Sequence, residues 1–210
     1  MDKINYNILM EQIILDNEKN NRVPTLLLHT CCAPCSTAVI ARLSDFFKIT
    51  IFYYNPNIEP YEEYLKRKEE QQRLLKVFPS KYPLAFLDCD YENEKFHAMA
   101  KGLEEEKERG PRCFKCYRLR LEKTALKAKE NHFDYFGTSL TVSPYKNAQK
   151  LNEIGLELAK EYGVSYLVSD FKKEDGYRKS IMYSKEYQLY RQDYCGCIYS
   201  KKEREEKKHE

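Results

Sequence analysis

Short apolar runs alternate with amphipathic stretches along most of the chain. The runs are rich in β-branched, aliphatic and aromatic residues, as buried strands are. They lie at 25–29, 48–54, 82–87, 133–140 and 165–168. Between them, apolar residues recur at helical spacing. This spacing predicts helices at 6–17, 34–45, 60–76, 93–99, 147–162 and 177–190, and one more that opens at Cys113 and runs to about residue 129.

Strands that alternate with helices predict an α/β fold, with a parallel sheet and helices on both faces. We expect residues 1–200 to form a single catalytic domain whose first helix lies within residues 1–20, and we expect the highly charged tail, 201–210, to fray. Sites in such folds lie beyond the carboxyl ends of the strands. The segments expected to meet there are 29–32, 54–56, 88–89 and 138–139.

The composition narrows the class of protein. Of the 210 residues, 33% are charged and 42% are hydrophobic, which is typical of a globular protein, and no apolar run approaches the ~20 residues of a membrane helix. The first residues lack the basic and apolar regions of a signal peptide, so we expect a cytoplasmic protein. Eight cysteines in that compartment indicate metal or redox chemistry rather than structural disulfides. The net charge of +3 favours no particular partner.

Two groups of cysteines supply candidate metal ligands. Cys31, Cys32 and Cys35 lie where the first strand leads into a helix, whose amino-terminal N–H groups stabilise thiolates. Cys113 and Cys116 form a C-x-x-C pair, a spacing that brings two sulfurs to one side of a turn. Cys31 and Cys32 together with this pair offer four thiolates, which fits tetrahedral zinc or an iron–sulfur cluster.

The adjacency of Cys31 and Cys32 favours the iron–sulfur cluster. Structural zinc sites draw on two C-x-x-C knuckles. The side chains of neighbouring cysteines are expected to diverge. Diverging thiolates can each ligate a different iron atom of a cluster more readily than they can share a single zinc ion. A four-cysteine zinc module without catalysis stays open as the alternative at this point.

Cys195-Gly196-Cys197 is a separate feature. A disulfide across one intervening residue closes a very small ring, and strained disulfides are the labile, catalytic ones. The alternative is that both cysteines are further metal ligands.

Several other side chains have both a functional and a purely structural interpretation. Cys35 is either a fifth thiolate or a packed small residue, and His29 either donates to a cluster sulfur or caps its strand. The acidic turn at 88–90, with Asp88, is a possible metal site or an ordinary turn. The helical face of Tyr61, Tyr64 and Arg67 contacts nucleic acid or, as we favour, only solvent.

Six segments together carry a resemblance to a known family. They are His29-Thr30-Cys31-Cys32-Ala33-Pro34-Cys35-Ser36, Tyr54-Asn55-Pro56-Asn57-Ile58 with Pro60, Arg112-Cys113-Phe114-Lys115-Cys116-Tyr117, Thr138-Ser139-Leu140-Thr141-Val142-Ser143-Pro144-Tyr145-Lys146, Asp170-Phe171-Lys172-Lys173, and Gly176-Tyr177 through Ser184-Lys185-Glu186 to Tyr190-Arg191-Gln192-Asp193-Tyr194-Cys195-Gly196-Cys197. In this order, and over most of residues 25–200, the chain resembles the QueH-type epoxyqueuosine reductases.

The resemblance implies an activity and a set of cofactors. The activity is reduction of epoxyqueuosine to queuosine in the anticodon wobble base of tRNA. By position, Cys31, Cys32, Cys113 and Cys116 match the family's 4Fe–4S ligands, and Cys195 and Cys197 match its redox-active disulfide. The family also suggests an adjacent mononuclear iron, for which Cys35 and Asp88 are the candidate ligands.

The resemblance has further implications for fold and partners. The family fold is similar to that of the adenine-nucleotide α-hydrolase (HUP, Rossmann-like) group. The corresponding turn carries no glycine here, so we do not expect ATP use, and this argues against the alternative of a tRNA-thiolating enzyme. The expected partners are a tRNA carrying epoxyqueuosine and an external electron donor of unknown identity. We expect the protein itself to be a monomer. We expect phosphate contacts from Arg112, Lys115, Arg118 and Lys146.

Overall fold

The computed structural model describes residues 4–209. Its centre is a sheet of five parallel strands in the order β3-β2-β1-β4-β5. The strands are β1 (Thr25–His29), β2 (Lys48–Phe52), β3 (Ala85–Leu87), β4 (Tyr135–Thr138) and β5 (Ser165–Tyr166). The winding reverses between β1 and β4, so that the carboxyl ends of these two strands border a crevice, the usual ligand site of open α/β sheets.

Helices cover both faces of this sheet, as the alternating pattern predicts. They are α1 (Tyr6–Lys19), α2 (Ala33–Leu43), α3 (Tyr61–Val77), α4 (Asn93–Ala100), α5 (Pro111–Glu130), α6 (Ala148–Tyr162), α7 (Gly176–Glu186) and α8 (Ile198–His209). A 3₁₀ helix, Ser139–Val142, follows β4. Among residues 4–209, no helix has both the length and the apolar character that a membrane crossing requires.

The central strand β1 explains why helices are needed on both faces. Successive side chains of a strand point to opposite sides. Leu27 packs in a core cluster with apolar residues of α5 and α6, whereas Leu26 and Leu28 pack in a second cluster with residues of α1 and α2. All three leucines are fully buried. The uninterrupted apolar run of β1 is therefore the signature of a strand covered on both sides.

Four strands are shorter than their patterns predict. β2 ends at Phe52 rather than residue 54, and β5 ends at Tyr166 rather than residue 168. β3 begins at Ala85 rather than residue 82, because Pro83 lacks the N–H that a paired strand donates. β4 ends at Thr138 rather than residue 140. The hydroxyl of Thr138 accepts a hydrogen bond from the Leu140 N–H (3.1 Å), which turns the chain into the 3₁₀ helix.

The prediction that the charged tail, 201–210, frays is wrong for residues 201–209, and residue 210 lies outside the described residues. Residues 198–209 form α8, and Glu203 anchors it by accepting a hydrogen bond from the Glu108 N–H (2.8 Å). The same carboxylate lies 3.5 Å from the guanidinium of Arg112, a side chain that is itself buried. Lysine and glutamate are good helix formers, and these distant contacts hold the helix in place.

Candidate active site

The loops that follow β1, β2 and β4 meet at the carboxyl edge of the sheet. His29 lies at the end of β1, with Nδ1 3.1 Å from Oγ1 of Thr138 and Nε2 3.0 Å from the carbonyl oxygen of Tyr54. The side-chain amide of Asn55 donates to the Thr30 carbonyl at 2.8 Å. The predicted meeting of these segments is confirmed.

His29 is a structural residue of this edge. Since a carbonyl can only accept, Nε2 carries the proton, and Nδ1 accepts from the Thr138 hydroxyl. Complete burial, helped by the charge of Arg120, lowers the pKa of His29 to about 3. The ring is therefore neutral, and both of its nitrogens are engaged by Thr138 and Tyr54.

Cys31, Cys32 and Cys35 bring their sulfurs together where β1 leads into α2. The three Sγ atoms all lie within 4.8 Å of one another. The Sγ atoms of Cys31 and Cys32 are 3.9 Å apart, so the expectation that neighbouring side chains diverge is wrong here. The reason is the sharp turn at Cys32, which caps α2 in an extended conformation while Ala33 is already helical. Three sulfurs in this arrangement can ligate a metal.

The protons of this group are unequally shared. Hydrogen bonds from the Cys31 and Cys35 thiols hold the pKa of Cys32 well below its usual range. The hydrogen bond with Cys32 raises the pKa of Cys31, and hydrogen bonds with Cys31 and then Cys32 raise that of Cys35 more strongly. Cys32 is therefore the most acidic thiol of the group. The expectation that the helix start stabilises thiolates stays a prediction, because the cause here is the neighbouring thiols.

Cys113 and Cys116 lie on the first two turns of α5, which Gly110 caps. Both are almost fully buried, and Cys113 packs in the same core cluster as Cys31 and Cys32. The Cys113 sulfur accepts a hydrogen bond from the Arg109 N–H at 3.2 Å. Burial raises the pKa of both thiols, that of Cys116 to about 11. The structure thus brings Cys113 into the core cluster of the first group, whereas Cys116 packs in another cluster, with Cys197.

Two buried guanidinium groups flank these cysteines. Arg120 is 1% exposed and lies one helical turn after Cys116. Its Nη1 donates to the side-chain oxygen of Asn55 (3.4 Å), whereas its Nε and Nη2 have no hydrogen-bond partner among the described residues. Although burial disfavours its charge, the pKa of Arg120 is raised, because Cys116, Cys195 and Cys31 act on it as negative groups.

Arg67 of α3 is the second guanidinium and is also 1% exposed. It donates from Nε to Glu63 (2.6 Å) and from Nη1 to the Cys195 carbonyl (3.2 Å), and its Nη2 has no partner in the described part of the chain. A buried cation with unused donors is costly unless an anionic group accepts from it. The two guanidiniums and the surrounding thiols therefore fit an anionic, thiolate-bound metal centre.

The Cys195–Cys197 segment lies against the loop that follows β2. The Glu59 N–H donates to the Gly196 carbonyl at 2.9 Å, and the Tyr194 hydroxyl donates to the Glu59 carbonyl at 2.8 Å. Gly196 has φ +130°, a conformation that glycine adopts readily. Together with Arg67, these bonds fix the segment next to the cysteine groups.

The disulfide expected between Cys195 and Cys197 is absent, since all eight cysteines are free thiols. Each sulfur has its own partner instead. Lys146 donates to the Cys195 sulfur at 2.9 Å, and the Ser200 N–H donates to the Cys197 sulfur at 3.4 Å. The structure thus holds the pair as two thiols in different surroundings.

Asp88 and Cys89 lie at the end of the edge strand β3. The Asp88 side chain is 56% exposed and pairs with Lys68 at 2.6 Å. The Cys89 thiol donates to the Tyr53 carbonyl at 3.3 Å. Asp88 is outside the group of three sulfurs at Cys31, and its role as a metal ligand stays a prediction.

Most of the residues expected on a nucleic-acid surface are occupied within the protein. Tyr64 and Arg67 are buried, so the interpretation of their helical face as solvated is wrong for both, and only Tyr61 is exposed. Of the predicted phosphate contacts, Arg112 and Lys146 are buried and Arg118 pairs with Glu157 and Glu161, which leaves Lys115 at the surface.

Sequence reasoning missed Arg120 entirely, and it treated Lys146 only as a surface cation. A signal for Arg120 was present, because it continues the buried stripe of Cys113, Cys116 and Tyr117 along α5. A charged residue in such a stripe indicates a charged group in the interior. Lys146 carries no comparable local signal, since its partner is 49 residues away.

Known proteins are similar to this chain over most of its length. The sequence model of the family described as "Epoxyqueuosine reductase QueH" matches residues 26–203. A protein of Streptococcus pyogenes serotype M1 with that name is 45% identical over 202 residues, covering 95% of this chain and 79% of the relative. Its namesake in Staphylococcus epidermidis is 44% identical over 202 residues (94% and 85%), and the one in Thermotoga maritima is 35% identical over 183 residues (87% and 93%).

Proposed function

Because the chain belongs to the epoxyqueuosine reductase QueH family, we propose that it reduces the epoxide of epoxyqueuosine in a tRNA wobble base to give queuosine. The observation that carries this proposal is the extent of the family match. Residues 26–203 include all eight cysteines and every loop at the carboxyl edge of the sheet.

We propose Cys31, Cys32, Cys113 and Cys116 as the ligands of a 4Fe–4S cluster. The burial of all four thiols and the unused donors of Arg67 and Arg120 support this assignment. Such a cluster supplies electrons one at a time. Cys35, whose sulfur adjoins those of Cys31 and Cys32, is the nearer candidate for an adjacent iron, and Asp88 is the more distant one.

Cys195 and Cys197 are proposed as the catalytic redox pair. Conversion of an epoxide to an alkene consumes two electrons and two protons and releases the oxygen as water. Oxidation of two thiols to one disulfide supplies two electrons, and an external electron donor restores the thiols. The bonds from Arg67 and Glu59 support this role, because they hold the pair beside the other cysteines.

The substrate base must leave its stack to reach this buried edge, and the anticodon loop is single-stranded, as such recognition requires. We propose that residues 1–200 act as one catalytic domain, as a monomer and in the cytoplasm, where tRNA is modified.

The test is an assay of anaerobically purified protein with tRNA that carries epoxyqueuosine, followed by nucleoside analysis of the product. We expect queuosine from the wild type, and loss of both iron and activity from Cys31→Ser and Cys116→Ser. Cys89→Ser is the matched control and keeps both. Iron-loaded protein that yields no queuosine with a competent reductant refutes the function. Stoichiometric zinc in place of iron refutes the cluster.

A further inference from the structure

Lys146 is a buried ammonium that links two distant parts of the chain. It lies in the turn between the 3₁₀ helix and α6, where its N–H donates to the Ser143 carbonyl at 3.2 Å. Its side chain is 7% exposed. Nζ lies 2.9 Å from the sulfur of Cys195 and 3.1 Å from a carboxylate oxygen of Glu108.

The surroundings of Lys146 keep it charged. Burial alone lowers the pKa of a lysine, but here Cys195, Tyr117 and Glu108 more than offset it, so that the pKa of Lys146 lies well above its usual value. A hydrogen bond from an ammonium is stronger than one from a neutral donor. The Cys195 sulfur therefore has a charged donor in direct contact.

Among the described residues, no ammonium donates to Cys197. This residue is 8% exposed, and its sulfur accepts a hydrogen bond from the neutral Ser200 N–H at 3.4 Å. The two thiols of the pair are thus chemically different although one residue separates them.

We infer that Lys146 is a positioning residue that selects Cys195 as the reactive thiol of the Cys195–Cys197 pair. This rests on the proposed function, in which the two thiols supply electrons. The contact holds the Cys195 sulfur at a fixed place beside an ammonium, while the Cys197 sulfur is sheltered and accepts from a neutral N–H.

The redox step balances with this division. The Cys195 and Cys197 thiols form an S–S bond as their S–H bonds break, and two electrons and two protons are released. The electrons go to the carbon–oxygen bond of the epoxide, and the protons go to its oxygen, which leaves as water. A disulfide sulfur accepts a hydrogen bond from an ammonium less well than a reduced sulfur does, so Lys146 favours the reduced pair and raises its reduction potential.

Other groups act on Cys195 as well and limit the effect. Cys113, Cys116, Tyr117 and Arg120 of α5 interact with it electrostatically, as does Cys197. Arg120 is the one further cation of this set, so that removal of Lys146 leaves Cys195 with part of its positive surroundings. We therefore expect a change of about tenfold rather than complete loss of reactivity.

The first measurement is the order in which iodoacetamide labels the reduced holoenzyme, followed by peptide mass spectrometry. In the wild type we expect Cys195 to react before Cys197. In Lys146→Met, labelling of Cys195 falls about tenfold, and Lys146→Arg restores most of the rate. Lys150→Met is the matched control, because Lys150 pairs with Glu153 at the surface, and its labelling stays that of the wild type.

The second measurement is the redox equilibrium of the pair with glutathione. We expect the equilibrium between disulfide and dithiol in Lys146→Met to shift about tenfold toward the disulfide relative to the wild type. This shift lowers the reduction potential of the two-electron couple by about 30 mV. A purely structural role of Lys146 does not move the potential in this direction.

Two results overturn the inference. One is equal labelling of Cys195 and Cys197 in the wild type, which needs no variant and so stands even if Lys146→Met does not fold. The other is a folded Lys146→Met protein with the labelling order and potential of the wild type. Neither measurement uses tRNA, so the two hypotheses can fail separately. If the labelling and potential of Cys195 and Cys197 depend on Lys146 but the protein makes no queuosine, the proposed function is refuted and the inference stands.

Discussion

Substitution of Gly196 by alanine tests how the Cys195–Cys197 segment is held. Gly196 has φ +130°, and an added Cβ lies 3.0 Å from Cγ1 of Ile58 and 3.1 Å from Nη1 of Arg67. That Nη1 is the atom that donates to the Cys195 carbonyl. The substitution therefore strains the backbone and displaces the guanidinium that fixes the segment.

The expected cost follows from these two effects. A residue other than glycine in such a backbone conformation costs about 2 kcal/mol. Loss of the hydrogen bond from Arg67 adds about 1 kcal/mol. Because 1.4 kcal/mol is a factor of ten, a total of about 3 kcal/mol raises the fraction of molecules with a detached segment roughly 100-fold.

Hydrogen exchange at the Glu59 amide reports this opening, because that N–H donates to the Gly196 carbonyl. We expect its exchange, and the labelling of the sheltered Cys197 thiol, to accelerate roughly 100-fold. Gly163→Ala is the control, since Gly163 has φ +70° but a Cβ there meets no atom within 4 Å. Wild-type exchange at Glu59 in Gly196→Ala refutes the reasoning.

Three further predictions concern the proposed metal centre, pH and the core. Arg120→Met removes a buried cation near the proposed cluster ligands, and we expect retention of the proposed iron against a chelator to weaken at least tenfold, with partial rescue in Arg120→Lys. Unchanged retention contradicts the fit argued above. Hydrogen bonds from the backbone N–H of Thr25, and then from its hydroxyl, lower the pKa of Asp134. The ionised carboxylate therefore stabilises the fold above the ordinary aspartate pKa. This contribution is lost as the pH falls through the lowered pKa of the folded protein. We expect Asp134→Asn to lower the free energy of unfolding in urea by about 1 kcal/mol at pH 7 and by progressively less toward pH 3. An equal loss at the two pH values contradicts this. Leu27→Ala opens a cavity in the core under α5 and α6, and we expect the free energy of unfolding in urea to fall by about 2–5 kcal/mol. Ile8→Ala is the control, because Ile8 is exposed, and it changes stability by less than about 0.5 kcal/mol.

The sequence by itself determined the architecture and the family. The apolar run at 25–29 is β1 to the residue, because a strand buried on both faces needs no polar position. The C-x-x-C pair at Cys113 does open a helix, and the carboxyl ends of β1, β2 and β4 do meet, as parallel strands require. Such features are local in sequence or follow from strand direction alone.

Only the tertiary structure decided how the site is charged and held. The turn at Cys32 brings the sulfurs of Cys31 and Cys32 together, although the sequence suggested that they diverge. Helix α8 forms where the sequence indicated a fraying tail, because its anchors, Glu108 and Arg112, lie about 90 residues earlier. Lys146 reaches Cys195 across 49 residues, and Arg67 reaches it across 128. Hydrophobic periodicity describes which face of an element is buried, but it does not record which charges meet there, since that depends on contacts between elements far apart in the chain.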